Sequence, residues 1–223
     1  MTIGHFLFRV WVVCLALGGA VVIRAAEPAE KTDKLDKGVR SLFDGKTLKG
    51  WKLTNFGGEG PVKVDNGTIV MDFGSSLTGI TFEGQLPTTN YEISLEAQRV
   101  DGNDFFCGLT FPVAKSHCSF VVGGWAGGVV GLSSIDGQDA SQNETTRFMS
   151  FKSKQWYRVR VRVEPERIQA WIDNERVVDV IIKDRKISTR VEVDASKPLG
   201  IACYETRAAL RNIQLRELNA KPE

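Results

Sequence analysis

The sequence predicts an all-β domain, a sandwich or barrel of short strands. Three observations predict it. Apolar and polar residues alternate strictly in several short runs, turn-forming residues separate the runs, and no amphipathic helical stretch of useful length interrupts them. Many short strands with turns at short spacing bury one face each, either against a second sheet or by closing on themselves.

Taken in order, the turn Asp65-Asn66-Gly67 precedes a strand over 68–73, and a second strand follows over 78–82. In Tyr91 to Gln98 the period of two puts Tyr91, Ile93, Leu95 and Ala97 on a core face. Glu92, Ser94, Glu96 and Gln98 take the opposite face. Strands over 104–111, 118–124 and 129–135 are set off by the turns Asp101-Gly102-Asn103 and Asp136-Gly137. Trp156 to Glu164 repeats the alternation, with Tyr157, Val159, Val161 and Val163 inward and Arg158, Arg160, Arg162 and Glu164 outward. Runs 168–172 and 177–182 are joined by Asp173-Asn174-Glu175-Arg176, a hairpin signal. Strands over 199–204 and 208–217 complete the set.

The ends read differently. Arg9 precedes Val10 to Ile23, a run of uncharged, mostly apolar residues closed by Ala25 and Ala26. As a helix this run spans about 21 Å, short of the ~30 Å hydrocarbon core. Residues 1–26 are therefore expected to be a cleaved signal peptide, leaving no membrane span in a secreted or periplasmic bacterial protein. Residues 27–38 are charged and aperiodic and are expected to be a disordered linker. One domain is expected over 39–218, with a polar tail at 219–223. The formal charge of +2 comes from Arg9 and Arg24. The remainder is balanced, and so lacks the global field that would draw nucleic acid.

No strong catalytic signature is present. One histidine, His117, lies beyond the leader, which excludes a His-rich metal site but not a carboxylate site with one imidazole. The most informative stretch runs from His117 to Arg147. Gly123-Gly124-Trp125-Ala126-Gly127-Gly128 leaves an indole uncovered and the backbone approachable. Sugars use an aromatic face for their C–H groups and carboxylates or amides for their hydroxyls; the competing reading is a bulge with Trp125 as a core plug. Glu92, Glu96 and Gln98 either line a groove or face bulk water. Asp101, Asn103 and Asp104 are either oxygen ligands for calcium or turn formers. Arg158, Arg160 and Arg162 fit a solvated sheet face better than a nucleic-acid surface. Cys107 and Cys118 either face each other on neighbouring strands or are, with Cys203, small buried apolar residues.

Ser41-Leu42-Phe43-Asp44-Gly45-Lys46-Thr47-Leu48-Lys49-Gly50-Trp51 resembles the opening motif of the 3-keto-disaccharide hydrolase family, also described as a 3-keto-glucoside lyase and 3-keto-2-hydroxyglucal hydratase domain. Val64 to Ile69, Tyr91 to Gln98 and Gln155 to Val180 are similar to later segments of that family. Leu199 to Ile201 with Ala209 to Ile213 resembles its closing motif. The resemblance spans about residues 40–218. It implies a concanavalin A-like jelly-roll sandwich of two antiparallel sheets. It also implies chemistry on sugars oxidised at C3, where a base removes the acidified C2 proton, the C1 group leaves, and water adds. Such a site needs a base and a stabiliser of the enolate, either a divalent metal or strong donors. Glu96 matches the family's strand glutamate. The family's closing Gln and His fall on Tyr204 and Thr206, and of its central "N-S-G-x-x-x-R" segment only Gly108 is kept.

These readings make Glu96, His117 and Asp136 the candidate catalytic residues, and Gln98, Trp125, Arg147 and Tyr204 the candidate substrate-binding residues. The expected partner is a carbohydrate, either a keto-glycoside or an unmodified glycan. A non-catalytic glycan-binding module is the alternative to an enzyme, and a surface interaction protein is a third reading.

Overall fold

The computed structural model describes residues 38–218. The expected signal peptide, most of the linker and the tail lie outside the described residues. Among the described residues, no helix is long and apolar enough to cross a membrane.

Fifteen strands form in chain order. They are β1 (Val39–Ser41), β2 (Trp51–Leu53), β3 (Val62–Asp65), β4 (Thr68–Met71), β5 (Leu77–Phe82), β6 (Tyr91–Gly102), β7 (Cys107–Val113) and β8 (Ser116–Gly124). Then come β9 (Val129–Ser133), β10 (Arg147–Phe148), β11 (Trp156–Glu164), β12 (Arg167–Ile172), β13 (Glu175–Ile181), β14 (Gly200–Tyr204) and β15 (Thr206–Glu217). A 3-10 helix, Val191–Ser196, precedes β14. One sheet, A, runs β13-β12-β11-β6-β15-β4-β3, with β1 also on β15; the other, B, runs β10-β9-β8-β7-β14-β5-β2. All pairings between named strands are antiparallel. This is the jelly-roll sandwich expected from the resemblance.

The alternation in β6 and β11 puts Tyr91, Ile93, Leu95, Tyr157, Val159 and Val161 into the core. Sheet B meets them with Leu109, Phe111, Phe120, Val122 and Ile201. Burying each such side chain contributes about 1.5–3 kcal/mol. The Tyr91 hydroxyl donates to the Pro112 carbonyl, tying β6 to β7 across the core. The residues of the opening motif close the fold. Asp44 Oδ1 accepts the Lys46 and Thr47 N–H groups, each at 2.7 Å, and the buried Trp51 indole donates to the Leu42 carbonyl at 2.7 Å. The strands absent from the sequence reading, β1, β2, β3 and β10, are two to four residues long. That is too short for alternation to be legible.

Cys107 stands opposite Val122 and Cys118 opposite Phe111, so the two do not face each other. Cys107, Cys118 and Cys203 are buried free thiols. Burial pushes each thiol up to about 12, which removes them from nucleophilic or metal chemistry.

Candidate functional site

The outer face of sheet B is floored by small residues. With Leu109, Phe111, Cys118, Phe120, Val130 and Leu132 inward, the alternation turns Gly108, Thr110, Ser119, Gly131 and Ser133 outward. Over this floor lies a cavity of about 460 Å³ lined by, among others, Phe105, Thr110, Ser119, Trp125, Ser133 and Tyr204. That volume is in the range of small-molecule sites. On the floor, the Thr110 and Ser119 hydroxyls share a hydrogen bond of 2.8 Å.

Loops form the walls. The start of the 3-10 helix brings Glu192 and Val193, with Arg190 just before it, to the cavity. Arg190 pairs with Glu192 at 2.6 Å and Asp139 at 2.7 Å. The Arg190 hydrogen bonds hold the Glu192 carboxyl below its ordinary range. Phe105 and Tyr204 stack with ring centroids 5.9 Å apart. The Glu205 carboxylate beside Tyr204, followed by Asp104, pushes its phenol up, so it stays protonated.

Trp125 stands at the tip of the β8–β9 hairpin and is 42% exposed. Trp125 and Ala126 both take left-handed backbone, with φ of 48° and 64°. This is the geometry of a type I′ hairpin turn, adopted here without glycine at the two central positions. Two side chains hold it. Asp104 Oδ2 accepts the Ala126 N–H at 2.9 Å. Arg99, only 6% exposed, donates to the Gly127 carbonyl at 3.0 Å and the Gly123 carbonyl at 3.3 Å. Its guanidinium also lies 5.3 Å from the Phe106 ring centroid. A Cβ on Gly123 would meet Arg99 Nη2 at 2.7 Å, which is why glycine flanks the turn.

The structure brings some of the expected site residues together and separates others. Trp125 and Tyr204 both line the cavity. His117 shares the outward row of β8 with Ser119 and Val121 but does not line the cavity; burial, aided by Lys197, keeps its imidazole below the ordinary range. Asp136 sits in the loop after β9, its carboxylate held by Arg185 and by the Lys186 N–H. Arg147 is exposed on the edge strand β10. Glu96 and Gln98 lie on the outer face of sheet A, with the core between them and the cavity. Glu96 accepts hydrogen bonds from Arg211 Nε and Asn212 Nδ2, each at 2.8 Å, and the Gln98 amide donates to the Lys154 carbonyl at 2.9 Å.

The sequence reading missed Arg99, Phe105, Thr110, Ser119, Ser133, Arg190 and Glu192. The only signal for the floor is that small residues, Gly108, Thr110, Ser119, Gly131 and Ser133, recur at alternate positions within β7 to β9. Asp104 acts as a turn-capping carboxylate toward Phe105 and Ala126. Among the described residues, no group of three or more His, Cys, Asp or Glu is placed to hold a metal ion.

Two antiparallel sheets packed face to face, with a cavity on the outer face of one, define the class of concanavalin A-like jelly-roll sandwiches. Within it, the chain belongs to the family of 3-keto-alpha-glucoside-1,2-lyase-like domains, whose model matches residues 38–216. No curated protein matches it in sequence. Among solved structures, it is similar to a glycosyl-hydrolase-like protein from Parabacteroides distasonis ATCC 8503 (TM-score 0.51, 14% identity, covering 82% of this chain and 95% of that one). It is also similar to the carbohydrate binding module CBM66 from Bacillus subtilis (TM-score 0.52, 14% identity, 75% and 96% covered). A third is the exoplasmic/lumenal domain of VIP36 in its Ca2+/Man3GlcNAc-bound form (TM-score 0.56, 8% identity, 84% and 93% covered).

Proposed function

We propose that the cavity over sheet B is a sugar site and that the protein is an exported, carbohydrate-active member of its family. The observation that carries this reading is Trp125, held half-exposed at the mouth of a cavity floored with hydroxyls. An indole face takes the C–H side of a pyranose, and Thr110, Ser119, Ser133 and the Arg190–Glu192 pair offer donors and acceptors to its hydroxyls. Two neighbours of the same fold support the class of ligand, one named a carbohydrate binding module and one bound to Man3GlcNAc. Export rests on the leader at residues 1–26.

Family membership favours a second reading, cleavage of 3-keto-glycosides. A base takes the C2 proton, the C1 substituent leaves with its bonding pair, and water adds to the resulting glucal. Glu192 and Asp104 line the cavity but are already engaged, by Arg190 and by two backbone N–H groups. His117, which stands one outward position beyond the cavity-lining Ser119 on β8 and outside the lining itself, is the base we assign to this reading, with the substrate reaching past Ser119 toward it. Glu96 would place the reaction on the other outer face.

Calorimetric titration with neutral disaccharides and their 3-keto counterparts tests both readings, with aglycone release followed in parallel. We expect binding that Trp125→Ala weakens and Glu96→Gln does not. Absence of binding to every sugar would overturn the first reading. Release that survives Glu96→Gln and is lost in His117→Gln supports the second; release lost only in Glu96→Gln moves the site to sheet A.

A further inference from the structure

The outer face of sheet A carries an excess of positive charge that follows from strand register. On β6 the outward residues are Glu92, Ser94, Glu96 and Gln98. Glu96 has Arg158 of β11 on one side and Arg211 of β15 on the other. Glu92 has Arg162 and Arg216 on its two sides. Between these rows Ser94 faces Arg160 and Gln214. Each row therefore has one more arginine than glutamate. Rows two residues apart lie about 6.6–6.8 Å from one another, and strands about 4.8 Å. Five arginines and two glutamates thus share a small patch of an otherwise charge-balanced domain.

The local contacts agree with that count. Glu92, with its side chain 7% exposed, is shared by Arg160 at 3.5 Å, Arg162 at 2.9 Å and Arg216 at 2.8 Å. The one carboxylate cannot saturate even Arg160 and Arg162, each with five N–H donors. Burial pushes Arg160 below its ordinary range, Glu92 opposes this, and Arg158, Arg162 and Arg216 add to it, so like charges crowd around the group. Two of the guanidiniums also lie over indole rings, Arg160 at 4.1 Å from the Trp171 ring centroid and Arg211 at 4.1 Å from that of Trp156. Stacking of this kind fixes a cation and leaves its N–H edge available. Beside the arginines is a recess of about 330 Å³ lined by Ser94, Glu96, Arg158, Asn212 and Gln214, among others.

We propose that this face binds an acidic polysaccharide, with carboxylate or sulfate groups on the arginine rows and sugar hydroxyls on the amides and hydroxyl of the recess. Two features weigh against other polyanions. Single-stranded nucleic acid is held by bases stacked on open aromatic faces, and guanidinium groups cover Trp156 and Trp171. A lipid surface needs apolar side chains, and the large apolar residues exposed on the described surface are Leu53, Phe73, Trp125, Phe148, Ile181 and Val191, none on β6, β11 or β15. This inference does not depend on the sugar reading of the cavity over sheet B.

The test uses labelled dextran sulfate, polygalacturonate, neutral dextran and inorganic polyphosphate with the purified protein at low and moderate salt. The informative variant is the double substitution Arg158→Gln, Arg160→Gln. It leaves Arg211 on Glu96, and Arg162 and Arg216 on Glu92, so no carboxylate loses its last partner. We expect both acidic glycans to bind and neutral dextran not to bind to this face. The double variant should weaken acidic-glycan binding by about tenfold or more and flatten its salt dependence, while Trp125→Ala leaves it unchanged. Hydrogen exchange on the unmodified protein gives an independent reading, with protection expected in β6, β11 and β15. Three results would each overturn the proposal: acidic glycans bound no better than neutral dextran, a double variant that binds like the parent, or polyphosphate bound as tightly as dextran sulfate.

Discussion

Sheet A turns long charged side chains outward and sheet B turns small ones. On sheet A, Glu92 and Glu96 are met by arginines from both neighbouring strands, and Trp156 and Trp171 lie under guanidinium groups. The result is an ion-paired lattice with a shallow polar recess. On sheet B the outward positions of β7 to β9 include Gly108, Thr110, Ser119, Gly131 and Ser133, and the floor is low enough for loops to pack over it. The Cβ that Gly131 lacks would stand 3.0 Å from the Ala140 carbonyl. Asn143 has its amide buried in that covering loop, where it donates to the Leu132, Gln138 and Asp139 carbonyls. The same period of two thus makes an electrostatic surface on one side and a walled cavity on the other. Side-chain size in the outward row, not the alternation itself, sets the difference.

The comparison breaks most sharply at Glu92. Replacing it with Gln removes the carboxylate that Arg160, Arg162 and Arg216 share. Loss of one partner from a buried ion pair costs about 3–5 kcal/mol; partial solvation of the three arginines should reduce this to about 2–4 kcal/mol. Chemical denaturation should register that loss, and sugar binding to the cavity should not change. The counterpart on sheet B is Trp125→Ala. It should weaken sugar binding by about tenfold or more, as loss of an aromatic anchor does, and leave the unfolding midpoint nearly unchanged because the ring is half-exposed. If Glu92→Gln abolishes sugar binding, or Trp125→Ala unfolds the protein, the division of labour between the faces is wrong.

The same contrast explains what could be read from the sequence. β6 and β11 announce themselves because their outward residues are charged and their inward residues apolar. β7, β8 and β9 are legible as strands but not in their faces, because outward Gly, Thr and Ser are covered by loops and read as part of an apolar run. Trp125 was legible because flanking glycines are needed for its turn; Gly123 and Gly127 take φ of 78° and 101°. Glu96 was legible as a strand-face carboxylate, but which face a groove occupies depends on pairings between β6, β11 and β15 that no local pattern encodes. Arg190 and Glu192 come from an aperiodic segment, and Arg99 follows an alternating run that gives no hint of a buried cation. The opening motif, the most specific part of the resemblance, consists of closures such as Asp44 and Trp51. It identifies the fold without pointing at the site.

Arg99 offers a finer probe of how sheet B presents its aromatic. In Arg99→Met the apolar packing is kept, and the Gly123 and Gly127 carbonyls lose their donor. Loss of these hydrogen bonds should cost about 1–2 kcal/mol of stability. The Trp125 turn should loosen, so sugar affinity should fall several-fold and the fluorescence anisotropy of the indole should drop. Arg99→Lys should recover part of the stability but less of the affinity, because a single ammonium cannot span both carbonyls. Equal affinity in all three proteins would show that the turn is held by Asp104 and its own backbone alone.

The smallest expected effect separates the faces by pH. Burial raises the Glu96 carboxyl, but hydrogen bonds from Asn212 and Arg211 outweigh it and leave the group below the ordinary glutamate range. The unfolded chain therefore binds this proton more readily than the folded one. The contribution is fully present above the unfolded value and is lost as the pH falls through the folded value. With the side chain 29% exposed, it should amount to less than about 1 kcal/mol. Melting temperature against pH should therefore fall less steeply on the acid side in Glu96→Gln than in the parent. Thr110, Ser119 and Ser133 do not titrate there, so sugar affinity should stay level until acid reaches Glu192, which Arg190 holds ionised below the ordinary range. An acid limb unchanged by Glu96→Gln would mean that Arg211 and Asn212 do not hold this carboxylate in solution. A sugar affinity that falls together with the melting temperature would mean that the two faces are coupled through the core.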